Sequence, residues 1–336
     1  MSERPAASLP SQPRSSALGN LILLATAIVW GFTFAAQSAA MKHMGPLWFY
    51  SLRSLVGVAA LLPLLLAQRG KRRAGARRAA FPSAAAALSP LERRQGRRRL
   101  LAGSLVCGCC MSIASILQQM GLLYTTVGKS SFITALYILF VPLFSMFLGK
   151  RPHLILLPCI LISVAGFYLL CVRGDFSVNP GDMLTLGCAF VYSFHILSVD
   201  HFSVRVDPIQ LSACQMLVAA LISGAGALLR EPGLTWDMLR PALPYILYAG
   251  ILSSGLGYTM QIIGQSKTQP AIAALVMSLE SVFGALGGWL FLRQAMTRRE
   301  FLGAAAVFAA VLLAQLPDLL ALRNLRIPRE TKGEPS

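Results

Sequence analysis

The stretch that decides the fold runs from Gln118 to Pro152 and reads QQMGLLYTTVGKSSFITALYILFVPLFSMFLGKRP. In it, an apolar segment bearing glutamine ends in a short polar turn, and a second apolar segment follows at once. The same order recurs from Tyr258 to Leu292, in YTMQIIGQSKTQPAIAALVMSLESVFGALGGWLFL. Sliding the first stretch onto the second places Leu136 on Leu275. This internal echo predicts that the chain consists of two related halves.

The composition of the whole chain excludes an ordinary soluble protein. The 336 residues are 55% hydrophobic and 13% charged, and the mean hydropathy is +0.63, whereas a globular chain carries roughly 25% charged residues. A helix that crosses a bilayer needs roughly 20 mostly apolar residues, and the apolar runs are too long and continuous for barrel strands. The sequence therefore predicts an all-α integral membrane protein with ten transmembrane helices, at 19–39, 47–67, 100–122, 130–148, 153–172, 183–203, 209–229, 243–264, 270–292 and 301–317.

The two echoed stretches occupy predicted spans 3–4 and 8–9, so they lie five spans apart. An odd number of spans in each half places the halves in opposite orientations, an arrangement that secondary transporters use for alternating access. We expect one five-helix repeat over residues 19–172 and a second over 183–317. Residues 1–18 are predicted to form a disordered cytoplasmic tail and residues 318–336 a cytoplasmic C-terminal tail.

The net charge of +17 is carried mainly by the segments that connect the apolar runs. Lys and Arg are concentrated in alternate connections, which predicts a multi-pass protein of the inner membrane with both termini in the cytoplasm. The predicted cytoplasmic loop at 68–99 contains eleven basic residues against the single acid Glu92. We expect this loop to fix the topology and to contact anionic lipid headgroups. A nucleic-acid partner is not predicted, because the loop lacks interleaved aromatic residues.

Polar side chains recur on one face of several predicted helices. Such groups would be unsatisfied if they faced lipid, so they face protein or water. They are either hydrogen-bonding groups between helices, each worth about 0.6 kcal/mol, or the lining of a central cavity for a small-molecule substrate. The set as a whole favours the cavity, and its candidate residues are Trp30, Thr33, Gln37, Ser115, Gln119, Thr134, Tyr137, Tyr192, His195, Tyr258, Gln261, Gln265 and Glu280.

For three ionisable residues within the predicted spans we state more specific hypotheses. Glu280 lies near the middle of span 9, where a charge costs at least ~2.5 kcal/mol. It is the candidate coupling site or substrate-amine site, and the alternative is a neutral carboxyl that holds a helix break. His195 is either a cavity group or a buried imidazole with satisfied hydrogen bonds. Arg53, about two turns from the outer surface, is expected to have a structural role near the outer vestibule, and the alternative is attraction of anions.

Sequence signatures of other chemistry are absent from the chain. No Walker loop, HExxH or GxSxG motif occurs, which argues against an ATP-driven pump and the common hydrolases. Cys107, Cys109 and Cys110 are interpreted as small packing residues, so neither a metal nor a cofactor is predicted. The alternative to a transporter is an integral-membrane enzyme acting on a lipid or lipid-linked substrate, for which Asp200–His201 is the nearest candidate cluster. The oligomeric state is left open.

The order of five short motifs resembles one known family. They are Trp30-Gly31-x-x-Phe34, Arg53, the turn Tyr124-Thr125-Thr126-x-Gly128 running to Gly149-Lys150-Arg151-Pro152, Gly181-Asp182, and Ser278-Leu279-Glu280-Ser281-Val282-Phe283. Over residues 19–317 the chain resembles the EamA-type transporters of the drug/metabolite transporter superfamily, although the family usually has proline at the position of Ser281. The resemblance implies a ten-helix carrier of small metabolites, amino acids or drugs that commonly works outward. We therefore expect a secondary active exporter that works by alternating access, with proton coupling at Glu280 as a hypothesis.

Overall fold

A computed structural model of the protein describes residues 17–78, 90–147, 156–171, 178–268 and 270–314. The predicted tails, apart from residues 17 and 18, and the Gly149–Pro152 motif lie outside these ranges. Within them the regular structure comprises thirteen α-helices and one π-helical segment. These are α1 Ala17–Ala40, α2 Pro46–Arg78, α3 Pro90–Leu122, α4 Val127–Thr134, α5 Tyr137–Phe147, α6 Leu156–Cys171, α7 Pro180–Ser203, α8 Pro208–Arg230, α9 Trp236–Leu247, the π segment Tyr248–Gly257, α10 Tyr258–Gln265, α11 Pro270–Ser278, α12 Glu280–Leu292 and α13 Arg298–Ala314.

The predicted all-α membrane class is confirmed. Eight helical stretches of the described residues are long and apolar enough to cross a membrane. They are Ala17–Ala40, Pro46–Gly70, Leu91–Leu122, Val127–Phe147, Pro180–Ser203, Pro208–Arg230, Trp236–Gln265 and Ile272–Leu292. The predicted fifth and tenth spans correspond to α6, which contains the shorter apolar helix Pro158–Leu169, and to α13. The count of ten spans stays a prediction.

The segment 68–99, predicted as a loop, is helical at both of its ends. Helix α2 continues to Arg78 and α3 begins at Pro90, so residues 79–89 are the part that lies outside the described ranges. The reason lies in the composition of the segment. Arginine, alanine, lysine and glutamine all have high helix propensity, and they extend both helices beyond the apolar spans.

Two of the predicted spans are broken near their middles. Span 4 is interrupted by a turn at Ala135–Leu136, before α5, and span 9 by a turn at Leu279, before α12. Pro142 in α5 has no N–H to donate to the carbonyl of the preceding turn, which favours a break on its N-terminal side. In span 9 the hydroxyl of Ser278 donates to the carbonyl of Leu275 at 2.7 Å and so competes with the helical ladder.

The same backbone contact occurs at two places in the molecule. A Cβ on Gly181 would lie 2.5 Å from the carbonyl oxygen of Gly121, so α3 and α7 touch there at the backbone. Likewise a Cβ on Gly264 would lie 3.3 Å from the carbonyl oxygen of Gly19, where α10 meets α1. Because consecutive spans run in opposite directions, these two contacts lie at opposite ends of the helical bundle.

A pair of hydrogen bonds accompanies the two glycine contacts. Thr125, just beyond α3, hydrogen-bonds to Asp182 at the start of α7. Thr268, just beyond α10, donates to the Oδ1 atom of Asn20 at 3.3 Å, at the start of α1. We call residues that take the same place in these two sets of contacts counterparts. By this definition, Gly121 and Gly264 are counterparts, as are Asp182 and Asn20. The same spacings along the chain, 143 and 162 residues, relate the other counterpart pairs, apart from Gly108 and Gly250.

The π segment contains one residue more than the corresponding part of α3. Gly108 on α3 packs against Val218 on α8, and its counterpart Gly250 packs in the same way against Val56 on α2. The chain beyond Gly250 uses one residue more than the chain beyond Gly108 to reach the next counterpart glycine. A π-helix is the usual way in which a helix accommodates a single inserted residue, and such insertions are frequent at functional sites.

The structure also corrects the register of the internal echo. The first residues after the two helix breaks are Tyr137 and Glu280, and the same spacing relates Gly121 to Gly264. The alignment that placed Leu136 on Leu275 is therefore wrong by a few residues, because it followed the pattern of large apolar residues rather than the breaks.

Candidate functional site

A narrow cavity lies at the centre of the helical bundle. Its volume is ≈ 30 Å³, and since one water molecule needs roughly 10–15 Å³, it has room for about two. A solute the size of an amino acid would enter only if the surrounding helices separated. The cavity is lined by Trp30, Thr33, Phe34, Gln37, Arg53, Gln118, Tyr137, Tyr192, Ile196, Ser253, Tyr258, Gln261, Met277 and Glu280.

The structure brings together most of the candidate residues from the sequence. Those that line the cavity come from helices α1, α5, α7, α10 and α12. They are Trp30, Thr33, Gln37, Tyr137, Tyr192, Tyr258, Gln261 and Glu280.

The remaining candidates are buried outside the lining, and two of them hold lining residues in place. The hydroxyls of Ser115 and Tyr192 lie 2.7 Å apart, and Tyr192 in turn lies 3.0 Å from the hydroxyl of Tyr258. Thr134 accepts a hydrogen bond of 3.2 Å from the Nε2 atom of Gln118. These contacts fix the orientation of the cavity-facing aromatic and amide groups.

The other three candidates are also completely buried. Gln265 donates to the carbonyl oxygen of Ile196 at 3.3 Å, and so supports the helix that carries Tyr192. The Nε2 atom of His195 lies 3.3 Å from the Oε1 atom of Gln215. Among the described residues neither amide atom of Gln119 has a hydrogen-bond partner. None of the three lines the central cavity.

Arg53, predicted near the outer vestibule, is almost fully buried. Its side chain is 3% exposed and forms part of the cavity wall. The Nε atom donates to the hydroxyl of Ser254 at 3.1 Å, and the guanidinium lies 5.5 Å from the centre of the Tyr50 ring. The depth of a residue along a helix does not determine which way its side chain points. Here α2 packs against the π segment, and this contact turns Arg53 inward.

Glu280 is an acidic residue of the cavity wall. It is 4% exposed, and its carboxyl group lies next to the hydroxyl of Tyr137. The helix break predicted as its alternative role is present, since Glu280 is the first residue of α12. A negative charge at that position favours the start of a helix. The carboxyl group nevertheless faces the cavity, so the two roles are compatible.

Several polar atoms of the wall are buried without a hydrogen-bond partner in the described part of the chain. They are the Oε1 atoms of Gln37 and Gln261, the Nη1 atom of Arg53 and the hydroxyl of Tyr137. Leaving such groups unsatisfied costs about 1–3 kcal/mol each. A polar solute that paired with them would recover that free energy. No group of three or more His, Cys, Asp or Glu residues that could hold a metal ion occurs in the described ranges.

The cavity is partly symmetric in the positions of its lining residues but not in charge. Several lining residues form pairs of counterparts, whereas the basic Arg53 and the acidic Glu280 each correspond to a neutral residue in the other half. The pairs are Trp30 with Tyr192, Phe34 with Ile196, Gln118 with Gln261, Tyr137 with Glu280, and Arg53 with Gln215, which lies behind the lining.

Sequence reasoning missed five lining residues. Phe34, Ile196 and Met277 are apolar, and nothing in a membrane sequence distinguishes an apolar side chain that faces a cavity. Ser253 lies in the π segment, where it accepts a hydrogen bond of 3.3 Å from the indole of Trp30 through its carbonyl oxygen. The sequence analysis predicted Gln119 and not its neighbour Gln118. The spacing of three residues between Ser115 and Gln118 is the signal that identifies Gln118.

Comparisons with known proteins agree with the all-α membrane fold and with the resemblance seen in the sequence. The EamA-like transporter family matches residues 17–172 and 179–316. An uncharacterized transporter of Archaeoglobus fulgidus is 25% identical over 88% of this chain and 85% of its own length. The uncharacterized transporter YoaV of Bacillus subtilis is 20% identical over 87% of this chain and 94% of its own length.

A further relative matches about half of this chain, and a solved structure matches most of it. The threonine/homoserine exporter RhtA of Escherichia coli is 25% identical over 49% of this chain and 56% of its own length. A solved crystal structure with a TM-score of 0.64 and 19% identity covers 93% of this chain and 100% of its own, and it supports the fold. The chain belongs to the EamA-like transporter family and is a multi-pass membrane transporter, not an enzyme.

Proposed function

We propose that the protein is a secondary active exporter of small metabolites, with amino acids as the principal substrate class, and that it works by alternating access. The proposal places it in the inner membrane with both termini in the cytoplasm, as the distribution of Lys and Arg favours. The relative named as an exporter of threonine and homoserine supports both the direction and the substrate class.

The recurring contacts support two inverted five-helix repeats. Thr125 hydrogen-bonds to Asp182, and Thr268 hydrogen-bonds to Asn20, at opposite ends of the helical bundle. We infer that these contacts are the two gates of the transport cycle, and that each opens while the other stays closed. Rocking of one repeat against the other would provide that motion.

The observation that carries the substrate assignment is the presence of one basic and one acidic side chain on the cavity wall. Arg53 presents an unpaired Nη1 atom within the described residues, and Glu280 presents a carboxyl group. An α-amino acid carries a carboxylate and an ammonium group, which would pair with Arg53 and Glu280 respectively. Buried charges are tolerated only when paired, so the zwitterion would complete the site.

The same carboxyl group supports coupling to protons. When a substrate ammonium occupies Glu280, a proton cannot, and the reverse also holds. Exchange of the two at one carboxyl group would couple the export of an amino acid to the entry of a proton. This coupling remains part of the proposal.

Counterflow in proteoliposomes tests the proposal. Vesicles containing the purified full-length protein are loaded with an unlabelled amino acid, and uptake of the same labelled compound is followed for each of the protein amino acids. We expect counterflow of at least one amino acid, with L-threonine as the first probe, and loss of counterflow when its carboxylate is esterified or its amine acetylated. Equal flux of the modified and unmodified forms, or flux confined to uncharged drug-like compounds, would contradict the assignment.

A further inference from the structure

A second and larger cleft lies on the outside of the bundle, between α1, α9 with the π segment, and α12. Its volume is ≈ 480 Å³, far larger than that of the central cavity. Its walls are almost entirely apolar. They are formed by Phe32, Ala35, Ala36, Ala39, Tyr245, Tyr248, Phe291 and Leu292.

The cleft exists because small residues line it. The corresponding seam between α5 and α7, in the other half of the chain, shows the difference. On α7 the counterpart of Phe32 is Phe194, whose ring stacks on Phe144 with centroids 4.4 Å apart. Phe190 also packs against both rings, so phenylalanines fill that seam. The counterpart of Phe144 is Gly287, so the ring that fills one seam is missing from the other. The cleft is therefore a specific feature of one side of the molecule.

The rim of the cleft is basic. Lys42 follows α1 and Arg293 directly follows α12, while Arg240 lies in the first turns of α9, and all three side chains are exposed. Because α1 and α12 end where α9 begins, these cations lie at the same membrane face. Asp237 and Glu231 are acidic residues at that face, and Glu231 already accepts hydrogen bonds from the backbone N–H groups of Leu47 and Trp48, which leaves an excess of positive charge.

An exposed aromatic residue indicates that this rim lies at the lipid headgroups. Trp236, the first residue of α9, is 66% exposed. Tryptophan is enriched at the boundary between membrane and water, where its amphipathic ring is most stable. The apolar cleft then extends from the headgroup level into the hydrocarbon, with cations at its mouth.

We propose that this cleft binds one phospholipid with an anionic headgroup. An acyl chain occupies the apolar cleft, and the headgroup phosphate lies against Lys42 and Arg293. The opposite face of α1 lines the central cavity through Thr33 and Gln37. The bound lipid therefore packs directly on a helix of the transport site.

Native mass spectrometry of the full-length protein, released from nanodiscs of phosphatidylcholine and phosphatidylglycerol, tests this site. We expect one phosphatidylglycerol molecule to remain bound when other lipids have dissociated. The double variant Ala36→Leu, Ala39→Leu fills the cleft and is expected to reduce that retention about tenfold or more. The double variant Lys42→Gln, Arg293→Asn leaves the packing intact and should reduce retention by a similar factor, since cations near the membrane surface attract anionic headgroups. Asparagine is chosen because Arg293 has a positive φ of 55°, which asparagine tolerates.

Matched controls lie on α13, whose exposed Ala305 and Arg298 do not line the cleft. Ala305→Leu and Arg298→Gln are expected to leave phosphatidylglycerol retention unchanged. Equal losses in the control and cleft variants would overturn the proposal, as would unchanged retention in the charge variant. If the cleft-filling variant instead converts a dimer to a monomer in analytical ultracentrifugation, with retention unchanged, the cleft belongs to a second copy of the chain.

Discussion

Glu280→Gln is expected to lower counterflow of L-threonine about a hundredfold or more. The substitution keeps the shape of the side chain but removes the charge that we assign to the substrate ammonium. Removing one partner of a buried charge pair costs about 2–5 kcal/mol, and each 1.4 kcal/mol is a factor of ten. The variant should also lose the acceleration that an opposing proton gradient gives to the wild-type protein. Both effects are measured as initial rates in proteoliposomes with and without a pH difference.

Tyr137→Phe is the matched control for Glu280→Gln. It removes a hydroxyl group next to the Glu280 carboxyl but leaves the charge in place, and Tyr137 is the counterpart of Glu280. We expect a loss of about tenfold or less, with the response to the pH gradient retained, because the carboxyl group that we assign to the substrate ammonium stays in place and the Tyr137 hydroxyl makes no hydrogen bond in the described residues. A folded Glu280→Gln protein with unchanged flux and pH dependence would contradict the assignment and leave the carboxyl group a role in the helix break alone.

Arg53→Gln is expected to remove the preference for a free carboxylate. It installs at this position the side chain of the counterpart, Gln215, which is already accommodated in the same fold. Wild-type protein should transport L-threonine about a hundredfold better than L-threonine amide, because a charge-assisted pair is among the strongest hydrogen bonds. In the variant the two rates should become nearly equal. The ratio of the two initial rates is the measurement.

The ratio of the two initial rates distinguishes recognition of the substrate carboxylate from a structural role of Arg53. Arg53 also donates to Ser254 and lies over Tyr50, so its loss could weaken the packing of α2. A purely structural role would lower the transport of both compounds by the same factor and leave their ratio unchanged. Arg53→Lys keeps the charge and is expected to retain most of the discrimination, with a lower rate because the planar guanidinium is lost.

The sequence was most informative where polar residues recur at helical spacing. Trp30, Thr33 and Gln37 lie on one face of α1 and all three reach the cavity. Their faces follow from the 3.6-residue period, which a membrane helix maintains because its backbone must satisfy its own hydrogen bonds. The all-α membrane class was equally accessible, since it depends only on the length and continuity of the apolar runs.

The spacing of residues could not choose between adjacent polar side chains. Gln118 and Gln119 lie three and four residues after Ser115, and both spacings fit the same helical stripe. Packing of α3 against its neighbours decides that Gln118 faces the cavity. The inward direction of Arg53 depends in the same way on a helix from the other half of the chain.

The extra residue of the π segment also could not be predicted from the sequence. Tyr248–Gly257 is as apolar as an α-helical span, and its inserted residue becomes apparent only when Gly250 and Gly264 are compared with Gly108 and Gly121. The insertion matters because Ser253, within it, lines the cavity. A period of 3.6 residues cannot reveal a local turn that departs from that period.

The most direct test of alternating access is chemical labelling of a single cysteine in the cavity. Ser253 is 1% exposed, so in a variant without the seven native cysteines Ser253→Cys would react only when a gate opens. Cysteine pairs at Asn20 and Thr268, or at Thr125 and Asp182, lock one gate each by a disulfide. A small membrane-impermeant methanethiosulfonate reagent is then applied to vesicles of either orientation.

We predict that the unlocked protein is labelled from both membrane faces, and that each disulfide abolishes labelling from its own face while leaving labelling from the other. Reduction of the disulfide should restore both. Labelling from one face only, or labelling that neither disulfide affects, would contradict a central cavity that opens to the two sides in turn.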